Sequence, residues 1–284
     1  MNSILYELER TLRSKFVLVM MGIIILIGAL LAYALSRGPT SVPRADRLIT
    51  DNGIFTIVDA IFGVLIPILA VFMGYLTYGK DRTSGVLESV VTRPVTKGQL
   101  VLTRFIASVI AILIALVIAT FIIDVGQYTY SYKFIPANMI EALIWTYLVE
   151  GAGFLGLVYL FSHLLKSQSA VLGISIGIYL IFALLWNLVE TIVLVEVFHA
   201  SLGSLSSLQG LVNFNFASPS GYTRNVVMYI TNSSAISGIS VAGSFSNGIN
   251  PASYGITLVS LGVIGIAWMV VPVILTYLLA KRFD

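Results

Sequence analysis

The chain has 284 residues, of which 58% are hydrophobic and 10% are charged, and its mean hydropathy is +0.97. Soluble domains carry about 25% charged residues, so these values exclude an ordinary water-soluble protein and indicate a polytopic membrane protein. The absence of cysteine excludes disulfides, thiolate metal sites and cysteine nucleophiles. The net charge of +3 is better explained by orienting charges beside the membrane than by nucleic-acid binding.

Residues 1–15 precede the first long apolar run and are predicted to form a short helix in the membrane interface. Apolar side chains recur there at helical spacing, with charged side chains elsewhere around the turn. The apolar set is Ile4, Leu5, Leu8 and Leu12. A helical extension of the first span is the alternative.

Six apolar runs are long enough to cross a bilayer core of about 30 Å. Since backbone groups find no water inside a bilayer, each run should be a helix. We therefore predict an all-α polytopic membrane protein, a single transmembrane domain over residues 1–284. It has an N-terminal interfacial helix, six transmembrane helices and a long outer insertion before the last span. The predicted spans are Phe16–Leu35, Phe55–Tyr78, Val101–Ile123, Met139–Leu165, Ala170–Val193 and Tyr254–Ala280.

The orientation follows from lysine and arginine, which are enriched in cytoplasmic loops. An N-terminus in the cytoplasm places eleven of them inside and five outside. The inner set is Arg10, Arg13, Lys15, Lys80, Arg82, Arg93, Lys97, Arg104, Lys166, Lys281 and Arg282. The outer set is Arg37, Arg44, Arg47, Lys133 and Arg224. Both termini are therefore expected in the cytoplasm.

The insertion before the last span, residues 194–253, is expected on the outer side. It is rich in Ser, Gly and Asn but keeps apolar pieces such as Leu211–Phe216 and Val226–Ile230. A purely flexible linker would not keep them, so short helices packed on the outer membrane face are predicted. Acidic residues near the outer ends of spans, among them Asp59 and Glu190, are expected to need no special explanation.

Glu150 is the deepest acidic residue, about 11 residues into the fourth predicted span. Intramembrane carboxyl groups are costly and usually face the bundle interior or water. Gly151, Gly153 and Gly156 follow it and permit close approach of a neighbouring helix. Two roles stay open here: a structural hydrogen bond to another helix, or a proton or cation relay.

The fifth predicted span carries a second candidate surface. Tyr179, Phe182, Trp186 and Glu190 recur at helical spacing and form one face, bordered by Asn187. This face is either a substrate-facing wall near the outer leaflet or an aromatic packing surface against lipid or another helix. Together with Glu150, these residues form the candidate translocation path.

Two sequence motifs resemble catalytic signatures. Gly74–Asp81 almost matches the phosphate-binding pattern G-x-x-x-x-G-K-[ST], but Asp81 replaces the hydroxyl residue and no strand precedes the glycines. Gly173–Gly177 matches G-x-S-x-G, yet it lies inside an apolar run without a histidine at matching depth. Close helix packing explains the second motif better, and we expect neither ATP hydrolysis nor serine-protease chemistry in this chain.

A polar stretch between the second and third spans, residues 79–100, is predicted to be a cytoplasmic loop. Within it, residues 84–92 can form a short helix with Leu87 and Val91 on one face. Such a helix can insert into the groove of a partner protein, and basic residues at its rim would steer the encounter and fix its register.

The stretch from Gly79 to Phe105 resembles the cytoplasmic loop of ABC transporter permeases of the exporter-like type 2 class. The matching positions are Asp81, Arg82, Thr83, Gly85, Leu87, Pro94, Val95, Thr96, Lys97, Leu100 and Arg104. Residues 160–170 resemble the second cytoplasmic turn of the same family more weakly. The order of interfacial helix, spans and outer insertion also agrees, so the resemblance covers the whole chain.

The resemblance implies that the chain is a permease subunit. Its expected partners are a separate ATP-binding-cassette subunit and a second permease copy or paralogue. Cofactors are expected to be absent from this chain, with ATP and magnesium on the partner. The protein is expected in a prokaryotic cell membrane, in contact with lipid and not with nucleic acid. The alternative is a stand-alone ion-coupled secondary transporter or channel. The residues implied in docking the ATPase are Asp81, Arg82, Thr83, Gly85, Leu87, Glu88, Val91, Arg93, Pro94 and Lys97.

Overall fold

The structure, a computed structural model, describes residues 3–36, 51–85, 96–193, 196, 205–231 and 251–282. All regular secondary structure within these ranges is helical, which confirms the predicted all-α membrane fold. The α-helices in chain order are α1 (Ser3–Leu12), α2 (Lys15–Ser36), α3 (Asp51–Gly74), α4 (Lys80–Thr83), α5 (Lys97–Ser131), α6 (Ala137–Leu164), α7 (Gln168–Tyr179), α8 (Trp186–Ile192), α9 (Leu205–Asn215), α10 (Pro219–Thr231) and α11 (Leu258–Arg282).

Five stretches of helix are long and apolar enough to cross a membrane, and a bent pair can supply a sixth span. They follow the predicted order. The five stretches are Lys15–Tyr33, Ile61–Thr83, Lys97–Thr129, Ala137–Leu164 and Leu258–Lys281. The bent pair joins Gln168–Leu184 to Trp186–Ile192 at an angle of 68°. The fifth predicted span is therefore a broken helix.

Helix α6 is the centre of the bundle. In its most apolar stretch, 72% of the residues are buried, whereas in the last span only 22% are. Its glycines admit neighbours on different sides. A Cβ atom on Gly151 would lie 3.0 Å from the side chain of Ile66 of α3, and one on Gly156 would lie 2.9 Å from Pro272 of α11. Small residues let membrane helices approach closely, so these glycines determine where α3 and α11 contact α6.

The N-terminal helix is separate from the first span, because the chain leaves helical conformation between Leu12 and Lys15. A continuous extension of the first span is therefore not formed. The apolar face is divided in the structure: Leu8 and Leu12 pack against the core, whereas Leu5 is exposed. The polar residues Glu7 and Thr11 are buried instead, because α1 lies against α5.

Helices α2 and α5 meet at Gly126. A Cβ atom there would overlap the backbone and side chain of Ala32. We expect Gly126→Ala to lower the free energy of unfolding by about 1–3 kcal/mol through overpacking. Gly22→Ala on α2 is the matched control, since no atom lies within 4 Å of its Cβ position. Thermal unfolding of the detergent-purified chain measures both variants, and equal midpoints would contradict the close contact.

The insertion before the last span forms a helical hairpin of α9 and α10, joined by residues 216–218. The helices were predicted, but their expected position on the outer membrane face was wrong. Ser220, at the start of α10, contacts Glu150 at the middle of the 28-residue helix α6. A hairpin confined to the membrane surface could not make this contact. The hairpin therefore enters the bundle, where hydrogen-bonding side chains of the spans meet it.

Candidate functional site

The second span changes geometry where it approaches the predicted cytoplasmic loop. Residues Tyr75–Gly79 form a π-helical turn, and α4 continues it for one further turn. Gly85 then adopts φ = +73°, a left-handed conformation that favours glycine. π-Helical turns are frequent at functional sites. We call residues 79–85 the loop root, because the predicted loop leaves the bundle there.

Asp81 of the loop root lies in a cluster of four charged side chains, here named the charge cluster: Glu7, Arg10, Asp81 and Arg104. The Oδ2 atom of Asp81 accepts hydrogen bonds from Arg10 at 2.7 Å and from Arg104 at 2.9 Å. Glu7 lies 3.5 Å from Arg10 and 3.6 Å from Arg104. Two acidic and two basic residues thus balance each other where α1, α4 and α5 meet.

The surroundings of Arg10 in the charge cluster favour its charged form. Partial burial opposes the charge of Arg10, yet the hydrogen bond and negative charge of Asp81 raise the pKa of this guanidinium above its ordinary value. Arg104 is only 2% exposed and also donates to the carbonyl of Thr77 at 2.7 Å. Arginine is the cation best suited to such a buried site, because its planar guanidinium can donate to several acceptors at once.

Arg82, the next residue, points to a different helix. Its Nη1 atom donates to the carbonyls of Ser162 at 2.7 Å and Leu165 at 3.0 Å, at the end of α6. The last carbonyls of a helix lack intrahelical donors and carry partial negative charge. Arg82 therefore supplies hydrogen-bond donors and a positive charge to the C-terminal end of α6.

The remaining predicted docking residues are only partly within the described ranges. The Thr83 hydroxyl donates to the Gly79 carbonyl at 3.0 Å, and Lys97 begins α5. Thr96 caps that helix in a capping box with Gln99. Leu87, Glu88, Val91, Arg93 and Pro94 lie outside the described residues, so their docking role stays a prediction.

A second polar region lies inside the bundle around Glu150, which is fully buried. Its Oε1 atom accepts a hydrogen bond from the Ser220 hydroxyl at 2.6 Å. Gly153, three residues further along α6, gives α10 room to approach, because a Cβ atom on it would lie 3.1 Å from Pro219. Tyr147, one turn earlier on α6, donates to Asp59 at 2.9 Å. The contact with Ser220 is the kind that a structural role for Glu150 requires.

The α9–α10 hairpin is held by polar bonds from several helices. Arg224 of the hairpin donates to Glu190 at 2.6 Å, and Glu190 is almost completely buried. All three tryptophans of the chain donate their indole N–H to this hairpin at 3.1 Å. The donor–acceptor pairs are Trp145 with the Tyr222 hydroxyl, Trp186 with Asn215 Oδ1, and Trp268 with the Phe216 carbonyl.

The candidate face of the fifth span differs from the prediction. A π-helical turn at Leu180–Leu184 and the following bend shift the helical register, so Tyr179 and Glu190 do not share one straight face. Phe182 and Trp186 still contact, with ring centroids 5.5 Å apart. Tyr179, Phe182 and Asn187 are half-buried, whereas Trp186 and Glu190 are covered by the hairpin.

Several partners in these networks were not identified from the sequence. Glu7 and Ser220 were not paired with any residue, and Asp59 and Glu190, which were expected to need no special explanation, each have a specific partner. One signal was available for Glu190: Arg224 lies two residues before the apolar piece Val226–Ile230 of the insertion, and a cation that enters apolar surroundings usually pairs with an acid.

The two catalytic-like motifs lie within helices. Gly74 and Gly79 flank the π-helical turn and contact α6: a Cβ atom on Gly74 would lie 3.0 Å from Val158, and one on Gly79 would lie 2.8 Å from Ser162 Oγ. Ser175 of the second motif lies within α7 and donates to the Val171 carbonyl at 2.7 Å. Neither segment has the strand-to-loop or strand-to-helix geometry of its signature. In the part of the chain that the structure describes, no group of three acidic or histidine side chains could hold a metal ion.

Comparison with known proteins assigns the chain to a family. The family model described as ABC-2 family transporter protein matches residues 1–284, the full length. No curated protein matches the chain. The whole-chain match agrees with the helical fold and the span order described above. The chain therefore belongs to the ABC-2 transporter family, as a multi-pass membrane permease of an ABC transporter.

Proposed function

We propose that this permease exports a substrate by coupling to a separate ATP-binding-cassette subunit, which docks on the cytoplasmic loop between α4 and α5. The observation that carries the proposal is the arrangement of the two ends of this loop. Gly85 ends α4 in a left-handed conformation, and the Thr96–Gln99 capping box begins α5. Residues 86–95 therefore connect two well-defined helix ends, and we assign the docking to them.

The near-match to a phosphate loop supports a separate ATPase. Because residues 74–81 are helical, they do not form the loop of backbone N–H groups that holds phosphates. As part of this proposal, we assign ATP and magnesium to the partner. Two permease subunits, identical or paralogous, would face each other across the translocation path. Membership of the family favours this arrangement over a stand-alone ion-coupled transporter.

We place the translocation path beside α7 and α8. Tyr179, Phe182 and Asn187 retain partly accessible side chains there, and the hairpin covers Trp186 and Glu190. The buried Glu150 lies behind the hairpin and holds it through Ser220. Both termini are placed in the cytoplasm of a prokaryotic cell, on the side of the loop, in keeping with the distribution of lysine and arginine.

Affinity purification of the tagged permease from its native membranes tests the partner. We expect a protein with a phosphate loop to co-purify and the complex to hydrolyse ATP. Leu87→Pro and Arg93→Glu should leave membrane insertion intact and abolish that association. Arg44→Glu, a charge reversal predicted on the opposite side of the membrane, is the matched control and should change neither. Normal association in both loop variants would remove the docking role from residues 86–95.

A further inference from the structure

The loop root contains two adjacent residues whose side chains diverge. Asp81 points towards α1 and α5, and Arg82 points towards the end of α6. Both residues match the pattern by which the loop was predicted to contact an ATPase. In the structure, both polar groups are instead used within the permease.

The bonds of Asp81 join three parts of the chain that are far apart in sequence. Arg10 comes from α1, Arg104 from the second turn of α5, and Glu7 contacts both arginines. Arg104 is buried, so water screens its bond to Asp81 only weakly. A displacement of Asp81 would therefore act directly on α1 and α5.

Arg82 makes the corresponding connection to α6. Its two carbonyl acceptors, on Ser162 and Leu165, frame the turn that leads into α7. Close packing reinforces this connection, because a Cβ atom on Gly79 would lie 2.9 Å from Val171 of α7. The Tyr78 hydroxyl also lies 2.9 Å from His163 Nδ1. The loop root and the α6–α7 turn thus form a closely packed unit.

We infer that Asp81 and Arg82 are positioning residues that transmit movement of the loop into the bundle, and that they are not contacts for the ATPase. Asp81 connects the loop to α1 and α5, and Arg82 connects it to the end of α6 and to the turn that leads into α7. This inference rests on the proposed function, since it requires a partner that moves the loop. Docking itself is then left to the other residues that were predicted for it from the sequence.

Site-directed spin labelling can test the connection, because the chain contains no native cysteine. Labels on Glu9→Cys of α1 and Lys166→Cys after α6 report the distance between the two connected parts, and both positions are exposed. In the permease alone, Asp81→Asn and Arg82→Gln should broaden the measured distance distribution. Lys80→Gln, which removes an adjacent exposed cation, should leave the distribution unchanged. An unchanged distribution in the Asp81 and Arg82 variants would overturn the inference.

The same labels distinguish transmission from docking in the complex with the ATPase. Adding ATP and vanadate should shift the distance in the complex that carries only the labels. Asp81→Asn and Arg82→Gln should reduce that shift about threefold or more, within the usual range of coupling effects, while the amount of co-purified ATPase stays the same. Asp81→Glu, which keeps the charge, should restore most of the shift. Loss of ATPase from the Asp81 and Arg82 variants, or an undiminished shift, would overturn the inference.

Failure of any ATPase to co-purify with the unsubstituted chain would count against the proposed function. The measurement on the permease alone would still decide whether the two residues hold the helices together.

Discussion

Replacing Arg104 by methionine is expected to lower the free energy of unfolding of the purified permease by about 3–5 kcal/mol. Methionine occupies a similar volume but removes the cation that Asp81 and Glu7 share. Arg104 is 2% exposed, so water cannot replace it. Two carboxylates would then remain with only Arg10 nearby. Removing one member of a buried ion pair is costly because the other charge stays buried without compensation.

Thermal unfolding in detergent measures this effect, with Arg13→Met as the matched control. Arg13 pairs with Glu9 at 2.6 Å, but its side chain is 79% exposed. Exposed pairs contribute at most about 1 kcal/mol, so the control should unfold close to the unsubstituted chain. Adding Asp81→Asn to Arg104→Met should recover part of the loss. Equal midpoints for the Arg104 and Arg13 variants would show that the charge cluster does not stabilise the fold.

Replacing Arg224 by leucine is expected to release the α9–α10 hairpin and to destabilise the protein by about 3 kcal/mol. The substitution removes the cation that pairs with Glu190, and the hairpin still covers this carboxylate. Glu190 lies 2.6 Å from Arg224, and its side chain is 4% exposed. The hairpin should then separate from α8, because a carboxylate in apolar surroundings attracts water.

Tryptophan fluorescence reports the release directly, since every tryptophan of the chain donates a hydrogen bond to the hairpin. We expect a red-shifted emission spectrum and a lower unfolding midpoint for Arg224→Leu. The double variant Glu190→Leu with Arg224→Leu is the matched control. Replacing both members of a buried pair by apolar residues is often nearly neutral, so the double variant should recover most of the stability. A double variant as unstable as the single one would show that the ion pair does not hold the hairpin.

Two polar networks share an organisation that bears on transport. One lies at the loop root, where Arg82 bonds the end of α6, and the other lies deep in the bundle around Glu150 of the same helix. Arg82 donates a hydrogen bond to the C-terminal end of α6, and Ser220 donates one to Glu150 at the middle of α6. A movement of the loop root that displaces α6 would therefore reach the helix that holds the hairpin. We therefore expect α6 to transmit movement from the loop root to the hairpin in the proposed exporter.

Much of the fold could be predicted because a bilayer leaves few structural options for an apolar chain. Apolar runs of sufficient length predicted the spans in their correct order, and the broken fifth span was still found as an apolar run. The break itself was not found. A π-helical turn at Leu180–Leu184 changes the register by backbone geometry, and the α-helical periodicity used to assign the face from Tyr179 to Glu190 did not account for it.

The candidate site was predicted less completely, because its contacts join residues far apart in the chain. The pattern Asp81–Arg82 drew attention to this segment, but it did not indicate the direction of either side chain. Arg82 bonds to a carbonyl 80 residues away, and Asp81 to an arginine 71 residues away. Sequence spacing contains no information on such distances when each residue lies on a different helix.

The sequence by itself determined the membrane class, the succession of spans, the basic loop and the family, because these depend on composition, local periodicity and short motifs. Only the tertiary structure decided which charges meet. Burial removes water as a competing partner, so each buried charge must find its complement within the bundle. That requirement pairs Asp81 with Arg10 and Arg104, and Glu190 with Arg224. The loop root is therefore bound into the permease, and the hairpin is held inside the bundle.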